Sequence, residues 1–435
     1  MVSAWFPRAG AVAFGACLSL AGHACAAELS KPVTFAKDVA PILQAKCETC
    51  HRKGTSAPMS LVTYAETRPW AKSIRERVIS RNMPPWHIDK TVGIQHFQND
   101  RSLSDAQIDT IVRWVNAGAP LGDVKDLPPA QVWPDEEGWQ LAKQYGEPDL
   151  VIKSEPYTMP AQGQDVWWKP LADLPITEAR WVRAVEMRPA TPAGRRIVHH
   201  ALAQLEQDEP GAASVAGGNG PGLFMEWAIG KQFDQYRAGS GKLLLPGGKI
   251  RWDIHYHAVG EPIRDHVELG IYLYPKGEEP KYRTRLSYWE AMSASTNIDI
   301  PPNTIAETQG FHVLRQAARL ENFQPHMHLR GKAMSMEAIL PDGSTRMLSH
   351  VDHFNFNWMN NYIYTDDAAP VLPKGTMIRI TAWWDNTAAN PNNPDPNQWV
   401  GYGDRTVDEM AHAWVNVTYL TDQDYKDWVA KNKSN

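Results

Sequence analysis

The sequence predicts a multidomain chain in which one small all-α domain precedes two all-β domains of the β-sandwich or jelly-roll type. Apolar residues at helical spacing mark residues 33–122, and β-like runs separated by turns fill the remainder. The chain has 435 residues, too many for one ordinary domain. Its 33 prolines, 30 glycines and 18 tryptophans suit turn-rich β-structure better than a helical bundle.

Two amphipathic helices are predicted in the N-terminal domain, which we place at residues 28–125. Residues 35–43 have helical apolar spacing and lead directly towards a cysteine motif. Residues 105–115 form the second helix, with Ser104 as its N-cap. One helix therefore precedes the motif, and another closes the domain.

The cysteine motif is Cys47-Glu48-Thr49-Cys50-His51. Two thiols at this spacing can add to the two vinyl groups of haem, and the histidine that follows then binds the iron. A thiol redox pair would not need a histidine at the next position. The motif therefore predicts one covalent haem c, bound through Cys47 and Cys50 with His51 as proximal ligand, and an all-α c-type cytochrome domain around it.

Met83 is the predicted second axial ligand, because the two prolines after it would hold a stiff loop over the open haem face. Met59 is the rival thioether, and His87 or His96 would instead make a bis-histidine haem. A thioether ligand raises the reduction potential relative to a second histidine.

The first 27 residues predict an export signal, with Arg8 before an apolar stretch and small residues around Cys25. The apolar stretch is too short to span a membrane, and no later stretch is long enough. We therefore expect a periplasmic or secreted protein without a transmembrane segment after cleavage; a lipid anchor at Cys25 is the alternative. Cys17 and Cys25 would leave with the signal, so that the mature chain keeps the haem pair alone.

The remaining chain divides into a predicted linker at residues 126–146 and β domains at 147–292 and 293–435. The clearest strand-like runs are residues 179–185, 251–256, 267–274, 377–384 and 413–419. The formal net charge of −5 argues against nucleic acid as a partner, since no basic excess is present to neutralise phosphates.

Four short elements of the β region carry candidate metal ligands: Val198-His199-His200-Ala201, Ile254-His255-Tyr256-His257, Pro325-His326-Met327-His328 and Asp408-Glu409-Met410-Ala411. Residues i and i+2 of a strand face the same way, so His326 can share a metal with His328, and His255 with His257. Met410 could add a thioether, and a thioether ligand favours copper. A blue-copper centre needs a thiolate, but no cysteine is free, so any copper site is of type 2. Single histidines or methionines are often structural, which is the alternative for each residue taken alone.

In this order and spacing the motifs of residues 147–435 resemble those of the copper type II, ascorbate-dependent monooxygenases, which include peptidylglycine α-hydroxylating and dopamine β-monooxygenases. The resemblance rests on Val-His-His, His-Tyr, His-x-His-x-x-Gly and Asp-Glu-Met. It implies two β-sandwich domains with one type 2 copper each. The implied ligands are His199, His200 and His255 for the electron-transfer copper, and His326, His328 and Met410 for the catalytic copper that binds O₂.

One feature of this ligand set conflicts with regular strand geometry. Neighbouring residues of a strand face opposite ways, so His199 and His200 can share a metal only at a bend or strand end. Strand geometry alone would favour His255 with His257, and His257 stays an auxiliary candidate.

The resemblance implies hydroxylation of a C–H bond of a small organic substrate with O₂, with electrons supplied by the haem or by an external donor such as ascorbate or a redox protein. Family members that act on peptides bind the substrate carboxylate with residues at three positions. In this sequence those positions carry Gln324, His412 and Trp414. No guanidinium clamp is then available, and the disulfides of the family are missing. The alternatives are a non-catalytic electron-transfer or copper-handling protein, and a cytochrome fused to ligand-binding β-sandwiches.

Overall fold

The computed structural model describes residues 32–433, except for 54, 56, 134–137, 209–221, 229–230 and 293–297. The predicted signal at 1–27, with Cys17 and Cys25, lies outside the described residues. Among the described residues, strands make up 38% and helices 16%, so this part of the chain is mostly β. The helices are α1 (Ala40–Lys46), α2 (Tyr64–Thr67), α3 (Ala71–Ile79), α4 (Asp105–Asn116), α5 (Ala142–Tyr145), α6 (Gly194–Ile197) and α7 (Asp422–Lys433), with a π turn at Phe35–Val39 and 3-10 turns at Arg68–Trp70 and Val124–Asp126.

The first thirteen strands are β1 (Leu150–Lys153), β2 (Tyr157–Met159), β3 (Val166–Trp168), β4 (Leu171–Asp173), β5 (Arg180–Pro189), β6 (Val198–Glu206), β7 (Gly222–Ala228), β8 (Phe233–Gln235), β9 (Ser240–Leu244), β10 (Lys249–Tyr256), β11 (Ile263–Asp265), β12 (Val267–Leu273) and β13 (Tyr282–Glu290). The others are β14 (Asp299–Ile300), β15 (Ile305–Val313), β16 (Ala317–Leu320), β17 (Asn322–Met327), β18 (Gly331–Ile339), β19 (Thr345–Val351), β20 (Tyr362–Ile363), β21 (Val371–Leu372), β22 (Met377–Asp385), β23 (Val400–Gly401) and β24 (Ala411–Leu420). The five strand-like runs of the sequence are all strands.

The strands form a β-sandwich-like arrangement of several sheets. An eleven-stranded sheet runs β1-β12-β5-β9-β13-β24-β16-β21, with β8 on β5, β17 on β24 and β20 on β17. A five-stranded sheet runs β3-β10-β6-β7 with β4 also on β10, and a four-stranded sheet runs β15-β22-β18-β19. Alternating burial along β10 and β22 is the pattern expected of strands with one face on a core.

One large sheet crosses the predicted boundary at residue 292. Strand β13 precedes that boundary and β24 follows it, yet the two pair antiparallel over eight residues from Arg283–Tyr419 to Glu290–His412. Each β half nevertheless has a hydrophobic core of its own, one around Trp252 and the other around Trp384. The domain boundaries themselves stay predictions.

The prediction of an all-α cytochrome domain is wrong. The chain is mostly β with several sheets, and its helices are short. The two expected N-terminal helices exist, and Ser104 caps α4 through a capping box with Gln107. However, the stretch between α3 and α4 is not helical, and it pairs with the β region through isolated bridges of Ile88 with Val351 and of Phe97 with Tyr364.

Aromatic burial explains why this stretch joins the β region. Trp86, Ile88, Ile94 and Phe97 belong to the hydrophobic core of the second β half, whereas α1, α3 and α4 enclose a smaller core of their own. The ring of Trp86 packs edge-on against Tyr362 with centroids 4.7 Å apart. The helical periodicity of the flanking segments carried no information about this long-range packing.

Within the described residues, no helix is both long enough and apolar enough to cross a membrane.

Replacing Trp86 by alanine tests the docking of the N-terminal segment. Trp86 is 7% exposed, and removing a buried tryptophan should cost about 3–5 kcal/mol. Hydrogen exchange measured by mass spectrometry should accelerate in β19, which lies opposite the docked stretch. Trp70→Ala is the control, because Trp70 is 42% exposed and its loss should cost less than about 0.5 kcal/mol. Unchanged exchange in β19 of Trp86→Ala would contradict the docking.

Candidate metal centre

A β-bulge at the start of β6 brings the imidazoles of His199 and His200 together. His200 pairs directly with His255 of β10, but the next pair is Val198 with Tyr256, so His199 is the extra residue. A bulge of this kind turns a side chain away from the alternation of the strand. The bend that the sequence required for adjacent ligands is therefore present, and His257 lies beyond the end of β10 with an exposed side chain.

The three imidazoles of His199, His200 and His255, called here the triad, converge. One ring nitrogen from each lies within 4.8 Å of the others. The Nδ1 atoms of His199 and His200 are 3.1 Å apart. Two nitrogens bound at about 2.0–2.1 Å to one metal ion lie roughly 3 Å from each other, so this separation fits a shared metal.

Burial keeps the triad neutral, which is the protonation state that binds a metal. Burial, reinforced by the neighbouring imidazoles, lowers the pKa of His199 to about 4. The same causes hold the pKa of His200 well below its ordinary value. Burial also lowers the pKa of His255, although hydrogen bonding to Asp165 opposes the shift.

The second pair of candidate ligands, His326 and His328, lies at the end of β17, and both side chains are 3% exposed. Their ring centroids are 5.4 Å apart. His328 Nδ1 lies 3.0 Å from the carbonyl oxygen of Asp408, which can only accept a hydrogen bond. The proton is therefore on Nδ1, and Nε2 of His328 is free to bind a metal.

Glu409 holds the turn that presents this pair. Its fully buried carboxylate accepts hydrogen bonds from the main-chain N–H groups of His328 at 3.0 Å and Arg330 at 2.6 Å, and from the indole of Trp384 at 3.0 Å. Burial raises the pKa of Glu409 to about 8. A Cβ at Gly331 would lie 2.6 Å from Cβ of Met327, so glycine is required for this close approach.

Met410 lies directly before β24 and is partly buried. In the pairing of β17 with β24, His326 is opposite His412 and Met327 is opposite Ala411. Extending this register by one residue places Met410 opposite His328, on the side of β24 that also carries His412. This register predicts Met410 beside the pair. The structure adds Met359, whose Sδ is 3.4 Å from Nδ1 of His326.

The triad and the pair form one continuous cluster of imidazoles. The rings of His200 and His326 meet edge to face with centroids 5.9 Å apart. Phe356 covers both groups, since it stacks on His199 at 4.9 Å and contacts His328 at 6.0 Å. On the other side, Trp414 stacks on His326 at 4.7 Å.

Buried charges lie next to the pair. Gln324, two residues before His326, donates a hydrogen bond from Nε2 to Glu226 of β7 at 2.9 Å. Glu226 is paired with Lys231 at 3.1 Å, and Lys231 with Asp234 at 3.3 Å. Gln324 is thus held by an acidic residue, and its amide offers no positive charge to a substrate carboxylate.

The cysteine motif, Cys47-Glu48-Thr49-Cys50-His51, forms one helical turn at the end of α1. The N–H groups of Cys50 and His51 both donate to the carbonyl of Cys47, at 3.1 and 2.9 Å. Residues i, i+3 and i+4 of such a turn lie on one side, so both thiols and His51 share a face. Both cysteines are unpaired, and burial raises the pKa of Cys47 to about 12.

His51 has one nitrogen available for an iron atom. Its Nδ1 lies 3.3 Å from the carbonyl oxygen of Met59, so Nδ1 carries the proton and Nε2 remains free. The main chain of Met59 is therefore behind the histidine, on the side away from any iron that Nε2 would bind. Met83 is partly buried and lies directly before the stretch that docks on the β region.

Four residues near the cluster were not identified from the sequence: Asp165, Trp167, Met359 and Phe356. Of these, Phe356 covers both groups of histidines. Asp165 and Trp167 lie at a short edge strand that has no motif. Met359 is far from its partner in sequence. Met359 directly follows the aromatic stretch Phe354-Asn355-Phe356-Asn357-Trp358, and a search for sulfur atoms beside that stretch would have found it.

No family model and no curated protein matches the chain. Solved structures with partial similarity include a putative alpha-L-fucosidase from Bacteroides ovatus ATCC 8483, with 9% identity and a TM-score of 0.17 over 66% of this chain and 40% of that one. A structure of infectious bursal disease virus Gx strain has 12% identity and a TM-score of 0.19 over 68% and 76%. The chain thus spans 40% of the length of the fucosidase. At these TM-scores the likeness carries no inference about function.

Replacing Lys242 by methionine tests the electrostatics of the buried charges in the first β half. Burial lowers the pKa of Lys242 to about 7, and its ammonium donates to the carbonyl of Phe224. Between pH 7 and about 10.4 the unfolded chain binds a proton that the folded chain does not, so stability rises with pH over this range. Lys242→Met should therefore raise the free energy of unfolding at pH 7, on the order of 1–4 kcal/mol, and the gain should shrink towards pH 10.

Urea denaturation of the full chain at several pH values measures this difference. Lys249→Met is the matched control, because Lys249 is half-exposed and paired with an exposed aspartate, and its effect should stay within about 0.5 kcal/mol. A gain for Lys242→Met that does not depend on pH would contradict the interpretation.

Proposed function

We propose that this chain is an exported copper-dependent monooxygenase that hydroxylates a C–H bond of a small organic substrate with O₂ and receives electrons through a covalently bound haem. The convergence of three neutral imidazoles beside a second histidine pair is the observation that carries the proposal. Imidazole and thioether groups together favour copper. Bound copper would supply O₂ activation and one-electron transfer.

The side chains of the cluster have distinct tasks in this proposal. His199, His200 and His255 hold the electron-transfer copper, while His326, His328 and Met410 hold the catalytic copper. Glu409 orients His328 through the main chain. Phe356 and Trp414 enclose the imidazoles with aromatic surface, which limits the access of water.

The surroundings of the pair favour a neutral or aromatic substrate. Gln324 is hydrogen-bonded to Glu226, and His412 and Trp414 occupy the other positions at which peptide-hydroxylating relatives bind a carboxylate. A substrate carboxylate would therefore meet an acidic neighbour without a guanidinium to balance it. A neutral or aromatic substrate brings no such charge to this place.

One observation favours the alternative of a non-catalytic electron-transfer or copper-handling protein. His326 and His328 are buried, and His326 packs against His200 at 5.9 Å between ring centroids. Electron exchange between two adjacent metal sites would benefit from such contact without any substrate.

Metal analysis and isotope labelling test the proposed reaction. The copper-loaded full chain should contain two copper ions and one haem, and with a reductant and labelled O₂ it should add one oxygen atom to a neutral small molecule, detected by mass spectrometry. The double variant His326→Ala/His328→Ala should lose one copper and form no product above background. His353→Ala is the control, because His353 is exposed and outside the cluster.

The electron supply is checked in the same protein. Haem that has been reduced without oxygen should be reoxidised when O₂ and substrate are added to copper-loaded protein, and should react much more slowly in metal-free protein. Two bound coppers without any hydroxylated product would favour the alternative function. Haem that stays reduced during turnover would remove the haem from the electron route and leave an external donor.

The axial ligand of the haem is tested by methionine replacement. With His51 bound through Nε2, we propose Met83 as the sixth ligand, because the main chain of Met59 lies behind His51. Met83→Ala should abolish the absorption band of thioether bound to ferric iron, whereas Met59→Ala should keep it. The reverse result would assign Met59, and absence of the band already in wild-type protein would indicate a histidine.

A further inference from the structure

The carboxylate of Asp165 lies between two imidazoles at the edge of the triad. Its Oδ2 is 2.7 Å from Nε2 of His255, and its Oδ1 is 2.8 Å from Nδ1 of His257. Asp165 precedes β3, the short strand that pairs with β10 beside His255. One acidic side chain thus contacts a member of the triad and its exposed neighbour at the same time.

This contact decides which nitrogen of His255 faces a metal. A carboxylate can only accept hydrogen bonds, so Nε2 of His255 carries the proton. The other nitrogen, Nδ1, is then unprotonated, and it is buried without a hydrogen-bond partner among the described residues. A buried acceptor without a partner is costly, and a metal ion held by the triad would satisfy it.

Trp167 contacts the face of the His255 imidazole, whereas Asp165 contacts its edge. Trp167 is directly opposite His255 in the pairing of β3 with β10. The two rings stack with centroids 4.5 Å apart and an angle of 14° between their planes. Asp165 and Trp167 therefore restrain His255 in both its rotation and its position.

His257 has a different role from His255. It is exposed, it lies beyond the end of β10, and its Nδ1 faces the second oxygen of Asp165. The imidazole that regular strand geometry would have paired with His255 on a metal thus contacts the carboxylate.

We infer that Asp165 is a positioning residue that fixes His255 as a metal ligand through Nδ1, and that His257 holds this carboxylate instead of the metal. The inference rests on the metal site of the proposed function, although not on its catalytic activity. Partners of this kind, which bind the distal nitrogen of a ligating histidine, set its tautomer and its orientation.

Copper affinity of the full chain tests this role without any measurement of turnover. Cu(II) binding is measured by competition with a chelator in wild-type protein and in Asp165→Ala, and removing such a partner should weaken binding at the triad by about 10–100-fold. Asp173→Ala is the matched control: Asp173 lies on β4, which also pairs with β10, and its side chain is 83% exposed. Its affinity should equal that of wild type.

Electron paramagnetic resonance separates the roles of the two histidines. His257→Ala should retain the nitrogen hyperfine pattern of wild type and lose less than about 10-fold in affinity, whereas His255→Ala should lose one coordinated nitrogen. Asp165→Asn covers the case in which the alanine variant folds poorly, because asparagine has the same size as aspartate. Its amide has one acceptor oxygen and can therefore accept from one imidazole only. It should weaken binding less than Asp165→Ala and alter the spectrum.

The possible failures are distinguishable. Equal affinity of wild type, Asp165→Ala and Asp165→Asn would overturn the inference and leave the proposed function intact. Loss of a coordinated nitrogen in His257→Ala would likewise overturn it, since His257 would then be the ligand. A wild-type chain that binds no Cu(II) at the triad would overturn the proposed function and the inference together.

Discussion

The antiparallel pairing of β13 with β24 is the constraint on which the rest of the molecule depends, because it joins strands from the two β halves in one sheet. On the far side of β24 lies β17, which carries His326. Trp414 of β24 stacks on that histidine and also belongs to a small buried cluster with Leu223 of β7 and Leu286 of β13. Strand β7 in turn pairs with β6, which carries His199 and His200. The two groups of histidines meet because these strands are neighbours.

Two local departures from regular strand structure then set the direction of the imidazoles. The bulge in β6 allows adjacent histidines to face one position. At the end of β17, the carboxylate of Glu409 replaces strand hydrogen bonding and supports the turn after His328. Both devices place polar groups in buried surroundings, where a hydrogen bond that is not formed would be costly. This explains why Glu409, despite its burial, is surrounded by donors.

In the N-terminal segment, local interactions determine the helices, whereas long-range packing determines which core the segment joins. Its capped helix α4 was predictable, since N-caps and helical spacing act within a few residues. Its fold class was not, because Trp86 and Phe97 bury their rings against residues more than 260 positions later in the chain. A tryptophan in a loop sequence does not indicate which core it will enter, and the expectation of a separate all-α domain followed from treating the segment by itself.

The sequence by itself determined the types of chemistry available: two thiols next to a histidine, histidines at strand spacing, and a methionine after two acidic residues. These depend on covalent order and on the alternation of strands, which are local. Only the tertiary structure decided which histidines share a position, that His257 contacts Asp165, and that Met359 approaches His326. The physical reason is that these contacts follow from strand pairing and from the burial of apolar surface between distant segments, and a one-residue shift in register reverses the side that a side chain faces.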